Sequence, residues 1–194
     1  MNNSLKLKKF RSVLLLVSIC LLVCFGLGAC KKYSDVTGHK FTESTVKTPK
    51  GTKVDTHKYK DDLSKKEIEQ ANEWVKSMFP NVKKLREPTL KYNCHSYAWY
   101  STATSNDHWM NNPSQYWTDK SYSQYANSTG AKPSNVTVNS KVVYWDKSEL
   151  LHSAIVTSET KFTSKWGRGG LYEHLPTDCP YDSVMGAWIL TFYK

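Results

Sequence analysis

The stretch from Thr89 to Tyr100 contains a cysteine whose neighbours favour a reactive thiol. Because Pro88 fixes its own backbone φ and restricts the residue before it, we expect an extended approach to this stretch. The side-chain amide oxygen of Asn93 can then cap a helix whose first residue is Cys94. A thiol in the first turn of a helix lies at the positive end of the helix dipole, which favours the thiolate. Cys94 is therefore the predicted nucleophile.

A histidine later in the chain is positioned to accept the proton of this thiol. His152 opens the β-rich segment His-Ser-Ala-Ile-Val directly after residues 147–151, so its ring could point across the end of a sheet towards Cys94. In a Cys–His pair the imidazole takes the thiol proton and the thiolate attacks a carbonyl carbon. The imidazolium then protonates the departing amine. These residues predict hydrolysis of an amide bond, or transfer of its acyl group.

The N-terminus has the features of an exported protein. Four basic residues precede an apolar run of 15 residues from Val13 to Leu27, which is too short to favour a membrane-spanning helix and typical of a signal peptide. The run ends in Leu-Gly-Ala-Cys at residues 27–30, which resembles the lipobox of bacterial lipoproteins. The resemblance implies removal of residues 1–29 and a lipid on Cys30. An uncleaved N-terminal anchor is the alternative, and both place the rest of the chain at the outer face of the cytoplasmic membrane.

Charge and cysteine content restrict the partners further. Removing residues 1–29, which contain four basic and no acidic residues, lowers the formal net charge from +10 to +6. A moderately basic exported domain suits anionic lipid headgroups or an anionic cell wall, and no groove-reading motif points to nucleic acid. After loss of Cys20 and Cys24 and lipidation of Cys30, only Cys94 and Cys179 remain, so at most one disulfide can form.

The remaining chain divides into a linker and one domain. Residues 30–61 are rich in Lys, Thr, Ser and Asp, and we predict a disordered tether because they offer little apolar surface to bury. Residues 62–194 are predicted to form a single domain. It starts with a helix that has a capping box at Ser64 and Glu67 and that stops at Pro80. Strands are predicted over residues 136–138, 141–144, 152–156, 162–164 and 187–193, so the fold class is α+β, with N-terminal helices packed on an antiparallel sheet.

Aromatic and amide side chains are concentrated in the segment from Thr102 to Thr129. In a loop-rich segment they could line a cleft for a peptide or sugar chain, since stacking supplies contact area and amides supply orientation. Packing of a loop-rich layer explains them equally well. The residues predicted to form the substrate cleft are Asn93, His95, Trp109, Trp117 and Trp166.

A cysteine that opens a helix, followed by a strand that begins His-small-Ala-Ile-Val, resembles the compact papain-like peptidases of the NlpC and CHAP types. The resemblance covers about residues 91–164 and implies a papain-like core, a cell-wall amidase or endopeptidase activity, Cys94 as nucleophile and His152 as base. Asn-Cys-His-Ser-Tyr-Ala replaces the usual sequence around the nucleophile, and the C-terminal part does not match, which points to a distinct branch. For the third catalytic residue we favour His174, which follows a glycine-rich turn, and Ser164 is the alternative.

Two further interpretations remain open. Cys94, His95, His174 and Cys179 are ligand types that zinc prefers, although they lack a tight ligand pair. A Cys94–Cys179 disulfide would instead make the protein a non-catalytic binding lipoprotein. The favoured hypothesis is a monomeric cysteine amidase or peptidase without metal or cofactor, acting on a peptide or peptidoglycan-like substrate and attached to the membrane through its lipid.

Overall fold

A computed structural model describes residues 38–129, 136–183 and 189–194. Within these ranges the chain has a mixed α/β architecture with two antiparallel sheets and few helices. The predicted mixture of helices with an antiparallel sheet is thus confirmed. The predicted signal peptide and Cys30 lie outside the described residues. No helix within the described ranges combines the length and the apolar character needed to cross a membrane.

The smaller sheet contains residues that were predicted to be disordered. Strands β1 (Phe41–Lys47) and β2 (Lys53–Tyr59) form a hairpin, and β4 (Trp109–Met110) pairs with β2. The predicted tether over residues 30–61 is therefore wrong for residues 41–59. Val46 and Val54 face each other across the hairpin and are buried in the main domain. The composition of this segment is polar because Val46 is the one buried residue of β1 and the buried residues of β2 include Thr56 and His57.

Helix α1 (Lys65–Met78) matches the sequence prediction closely. The Ser64 hydroxyl accepts a hydrogen bond from the Glu67 backbone, and the Glu67 carboxylate accepts one from the Ser64 backbone, which completes the predicted capping box. Val75 and Phe79 pack at its C-terminal end against the larger sheet. Pro80 follows, where a proline would clash with a continuing helix.

The larger sheet carries the chemically interesting residues. Among the described residues its strand order is β3-β9-β8-β7-β6-β10-β5, and each neighbouring pair is antiparallel. The strands are β3 (Lys83–Arg86), β5 (Gln124–Thr129), β6 (Lys141–Asp146), β7 (Glu149–Val156), β8 (Phe162–Lys165), β9 (Leu171–His174) and β10 (Ile189–Tyr193). The short helices α2 (Gln115–Thr118) and α3 (Pro180–Ser183) complete the described elements.

Each face of this sheet is covered by a different element. Side chains such as Tyr144 and Ala154 point to the face that packs against α1 and residues 179–181, which we call the α1 face. Their neighbours Val143 and Ile155 point to the opposite face, which packs against residues 97–99 and which we call the Cys94 face. This alternation follows from the twofold period of a strand.

Two strand predictions are wrong, and the second matters for the site. Residues 136–138 precede or enter a turn rather than a strand. Strand β7 begins at Glu149, so His152 lies inside it rather than at its start. The ladder between β7 and β8 pairs only Ile155 with Thr163 and Val156 with Phe162. The pairing of β7 with β8 therefore does not extend back to His152 and Ser153. This gap in the ladder lies between two central strands of the sheet.

Candidate functional site

The predicted helix start at Cys94 is present. The Asn93 side-chain oxygen accepts a hydrogen bond from the Ser96 backbone at 3.1 Å, and Tyr97 N–H donates to the Asn93 carbonyl at 2.9 Å. Helical backbone begins at Cys94 and widens into a π-helical turn over Ser96–Tyr100. The prediction that Asn93 caps this helix is confirmed. Cys94 is 5 % exposed, at the first helical position.

Asn93, which was also predicted to line the substrate cleft, makes its side-chain contacts to backbone groups. Its amide nitrogen donates to the Met110 carbonyl at 2.7 Å, and its oxygen also accepts from the Met110 backbone at 3.2 Å. The side chain is buried, and these bonds tie the start of the helix to β4. Asn93 therefore positions the segment that carries Cys94.

His95 connects the helix to strand β7. Its Nδ1 lies 2.9 Å from the Ser153 hydroxyl, and the indole Nε1–H of Trp99 donates to the same hydroxyl at 2.9 Å. Burial lowers the pKa of His95 to about 3, so the imidazole is neutral. Ser153 and His95 follow His152 and Cys94 in the chain. One hydrogen bond thus joins the neighbours of the predicted base and nucleophile.

His152 is completely buried on the α1 face. It pairs with Tyr144 across the β6–β7 ladder, and its ring stacks on Tyr181 at 3.8 Å between centroids with an interplanar angle of 6°. Neither ring nitrogen has a hydrogen-bond partner among the described residues. Burial holds the pKa of His152 well below its usual value, and His174 and His95 add to the shift. The imidazole is therefore neutral and both nitrogens are open to a new partner.

The two candidates for the third catalytic residue bond to each other instead of to His152. His174 Nε2 lies 2.7 Å from the Ser164 hydroxyl, and its Nδ1–H donates to the Leu175 carbonyl at 2.7 Å. The Trp166 indole N–H donates to Ser164 at 3.0 Å. Burial lowers the pKa of His174 to about 4. Neither His174 nor Ser164 makes the predicted orienting hydrogen bond, because both ring nitrogens of His152 are without a partner.

Tyr181 orients His152, and the sequence analysis did not identify it. The Cys179 thiol and the Tyr144 hydroxyl both donate to the Pro176 carbonyl, at 3.8 Å and 3.1 Å, and Cys179 and Tyr181 pack on the α1 face with Tyr144. This arrangement places the Tyr181 ring against His152. The sequence Cys-Pro-Tyr-Asp at residues 179–182 indicates a helix that starts at Pro180, since proline is favoured at the first position of a helix.

Both alternative interpretations lose support. Cys94 and Cys179 are thiols rather than halves of a disulfide, so the bridged form is wrong. Burial raises the pKa of Cys179 to about 12, which makes it an inert thiol. Among the residues that the structure describes, no three His, Cys, Asp or Glu side chains are arranged to hold a metal, so the four suggested zinc ligands do not converge.

The three predicted cleft tryptophans belong to packed clusters. Trp109 is buried with Tyr59 and Leu90, and Trp166 is buried in the cluster on the α1 face. Trp117 packs against Trp99 and Tyr193 on the Cys94 face. Because these positions lie in three different clusters, the tryptophans do not line one common cleft. Packing of the aromatic segment is the better interpretation.

One comparison with known proteins gives a match. A family model described as a domain of unknown function, DUF7689, matches residues 83–192, which is more than half of the chain. The match includes Cys94, His152, Ser164 and His174. No curated protein and no solved structure matches.

Proposed function

Since this chain belongs to the DUF7689 family, we propose from its own residues that it is a cysteine-type amidase or peptidase. Cys94 is the nucleophile and His152 is the base. The proposal includes a papain-like core, in which a cysteine at a helix start packs on an antiparallel sheet and a strand of that sheet supplies the histidine. The 2.9 Å hydrogen bond between His95 and Ser153 carries it.

That hydrogen bond supports the proposal because of the positions it joins. His95 is the next residue after Cys94, and Ser153 is the next residue after His152. The π-helical turn and β7 approach within 8 Å between Cα atoms. The hydrogen bond therefore brings two dipeptides together, and each contains one half of a possible thiol–imidazole couple.

The separation of β7 from β8 supports a route between the two faces. Alternation directs Ser153 to the Cys94 face and His152 to the α1 face, so an intact ladder would put the sheet between thiol and imidazole. The ladder ends at Ile155, however, before it reaches either residue. His95 lies close enough to His152 to lower its pKa. We place the proton transfer at the opening where the ladder ends.

The chemistry differs in one respect from a preformed ion pair. Because His152 is neutral at rest, the thiol proton moves to its open nitrogen as sulfur attacks the carbonyl carbon of an amide. The tetrahedral intermediate collapses to a thioester, and the departing nitrogen takes the proton from the imidazolium. Water then attacks the thioester with His152 again as base, which releases a carboxylic acid and restores the thiol. An amine in place of water gives transfer.

The substrate class follows from the predicted location. A basic domain held by a lipid at the outer face of the cytoplasmic membrane meets peptide and cell-wall amides before other substrates. We therefore propose a peptide or peptidoglycan-like substrate, with a peptide stem as the acyl donor.

The first prediction concerns acylation of the full-length protein in detergent by p-nitrophenyl acetate, a small acyl donor. We expect release of one p-nitrophenolate per chain and an acetyl group on Cys94 in a peptide digest. Cys94→Ala abolishes the burst, and His152→Gln slows it by a factor of roughly 10² or more, since general base catalysis contributes about that much.

Cys179→Ser is the matched control, because Cys179 is the other described thiol and is inert in the folded protein. We expect it to keep the burst. Acetyl groups on lysines alone, or an equal burst in Cys94→Ala, would refute the proposed function.

A further inference from the structure

Two hydrogen-bond chains of the same composition flank His152. In the first, Trp99 donates to Ser153, which contacts His95. In the second, Trp166 donates to Ser164, which contacts His174. We call them the His95 chain and the His174 chain. Each begins at an indole N–H that can only donate, so each fixes where the protons of its histidine lie.

The proton positions in the His95 chain follow from Ser153. Its hydroxyl accepts from Trp99 and is completely buried, so its own hydrogen needs an acceptor. Among the described residues the one acceptor in contact with it is His95 Nδ1. Ser153 therefore donates to Nδ1, and the neutral imidazole carries its hydrogen on Nε2.

The His174 chain gives the opposite tautomer. The Leu175 carbonyl can only accept, so His174 carries its hydrogen on Nδ1 and presents a bare Nε2 to the Ser164 hydroxyl. His174 thus has both nitrogens occupied. His95 differs, because the hydrogen bond shown for its ring, to Ser153, uses Nδ1 and leaves the Nε2–H outside the chain.

We propose that His95 is a further catalytic residue, whose Nε2–H donates a hydrogen bond to the oxyanion that forms when Cys94 attacks an acyl carbon. Ser153 is the positioning residue that holds His95 in this tautomer. The proposal rests on the proposed function, because it needs Cys94 as nucleophile. His95 was predicted from the sequence only to line the substrate cleft, and this proposal gives it a role in catalysis.

The geometry suits a donor of this kind. His95 lies in the same helical turn as Cys94, and its ring is fixed by a bond to the strand that carries His152. A preorganised N–H in a site from which water is excluded stabilises developing negative charge strongly, and loss of one such donor costs about 10²–10³ in rate. A neutral imidazole can supply this hydrogen bond without competing with His152 for the thiol proton.

The tautomers can be read directly from the folded protein. Long-range ¹H–¹⁵N spectra of full-length protein labelled in its histidines distinguish protonated from bare ring nitrogens, and His95→Gln and His174→Gln assign the signals. We expect a bare Nδ1 and a protonated Nε2 for His95, and the reverse for His174. A hydrogen on Nδ1 of His95 would overturn the proposal.

Two reagents separate an oxyanion donor from a general effect on the thiol. p-Nitrophenyl acetate passes through an oxyanion when it acylates Cys94, whereas iodoacetamide alkylates the same sulfur without one. We expect His95→Phe to lower the acylation rate roughly 100-fold while the alkylation rate stays unchanged. Ser153→Ala should also lower the ratio of the acylation rate to the alkylation rate. His95→Gln should keep part of the acylation rate, because the glutamine amide N–H can donate a hydrogen bond to the oxyanion.

His108→Phe is the matched control, since His108 is a buried histidine whose ring contacts Thr56 and Tyr100 rather than Ser153, and we expect it to leave the ratio of the two rates unchanged. If acylation and alkylation fall together in His95→Phe and in Ser153→Ala, or if neither falls, His95 is not an oxyanion donor. If the wild-type protein forms no acetyl-Cys94, both the proposed function and this role are wrong. If His95→Phe does not fold, Ser153→Ala and the nitrogen spectra still decide.

Discussion

At the scale of single residues, burial shifts the pKa of the Cys179 thiol and the pKa values of the buried imidazoles in opposite directions. It raises the pKa of Cys179 to about 12, because a thiolate would lose its hydration. It lowers the pKa of His95 to about 3 and of His174 to about 4, because the imidazolium would lose hydration as well. The imidazoles of the site are therefore neutral at rest, and an imidazolium must arise during attack on a substrate.

The residues that sequence analysis could find are those whose partners are close in the chain. Asn93 caps a helix through Ser96, and Ser64 closes a capping box with Glu67, so both were predictable from local spacing. Ser153 contacts His95 across 58 positions of sequence. No local pattern encodes such a contact, and for this reason the tautomer of His95 and the stacking of Tyr181 required the structure.

At the scale of elements, the Cys94 helix depends on one side chain. Asn93→Ala removes the helix cap and leaves both Met110 backbone groups without their partners. A lost cap costs about 1 kcal/mol, and each buried group left unpaired costs about 1–3 kcal/mol. These losses sum to about 3–7 kcal/mol, so we expect the free energy of unfolding, measured by urea denaturation, to fall by at least about 3 kcal/mol.

Asn111→Ala is the control, because Asn111 lies one residue past β4 and is exposed. Its substitution should change the free energy of unfolding by no more than about 0.5 kcal/mol. Equal losses in both variants would show that the cap does not hold the helix start.

The hairpin shows why element prediction failed near the N-terminus. Strands β1 and β2 contain polar or charged residues at most positions, and their few apolar residues make the composition resemble that of a linker. Val46 and Val54 become buried because the hairpin pairs with β4 and packs against the side chains of the Cys94 face. A short amphipathic strand gains stability from its neighbours, so composition alone underestimates it. Helix α1 was predictable because its cap and its apolar stripe are local.

At the scale of the whole molecule, three buried neutral histidines predict sensitivity to mild acid. His95, His152 and His174 all have pKa values lowered by burial, so the unfolded chain binds protons that the folded chain does not. The contribution of these histidines to stability is fully present above about pH 6.5, their pKa in the unfolded chain. It is lost as the pH falls towards their lower pKa values in the folded protein. Each histidine contributes a slope of up to roughly 1.4 kcal/mol per pH unit.

Urea denaturation between pH 7.5 and pH 5 tests this, since carboxylates titrate mainly below that window. We expect a steep loss of stability in the wild-type protein and a slope smaller by about 1.4 kcal/mol per pH unit in His174→Gln. A free energy of unfolding that stays level from pH 7.5 to pH 5 would mean that these histidines are not buried in neutral form.

The most direct measurement of the central claim is the pH dependence of Cys94 acylation in the wild-type protein and in His152→Gln. If neutral His152 takes the thiol proton, the wild-type rate stays near its neutral-pH value below pH 6.5, because burial keeps the pKa of His152 well below that point. The variant should react slowly there and should accelerate only as the pH rises towards about 8.5, where an ordinary thiol ionises. Two superimposable profiles would show that His152 does not act on Cys94.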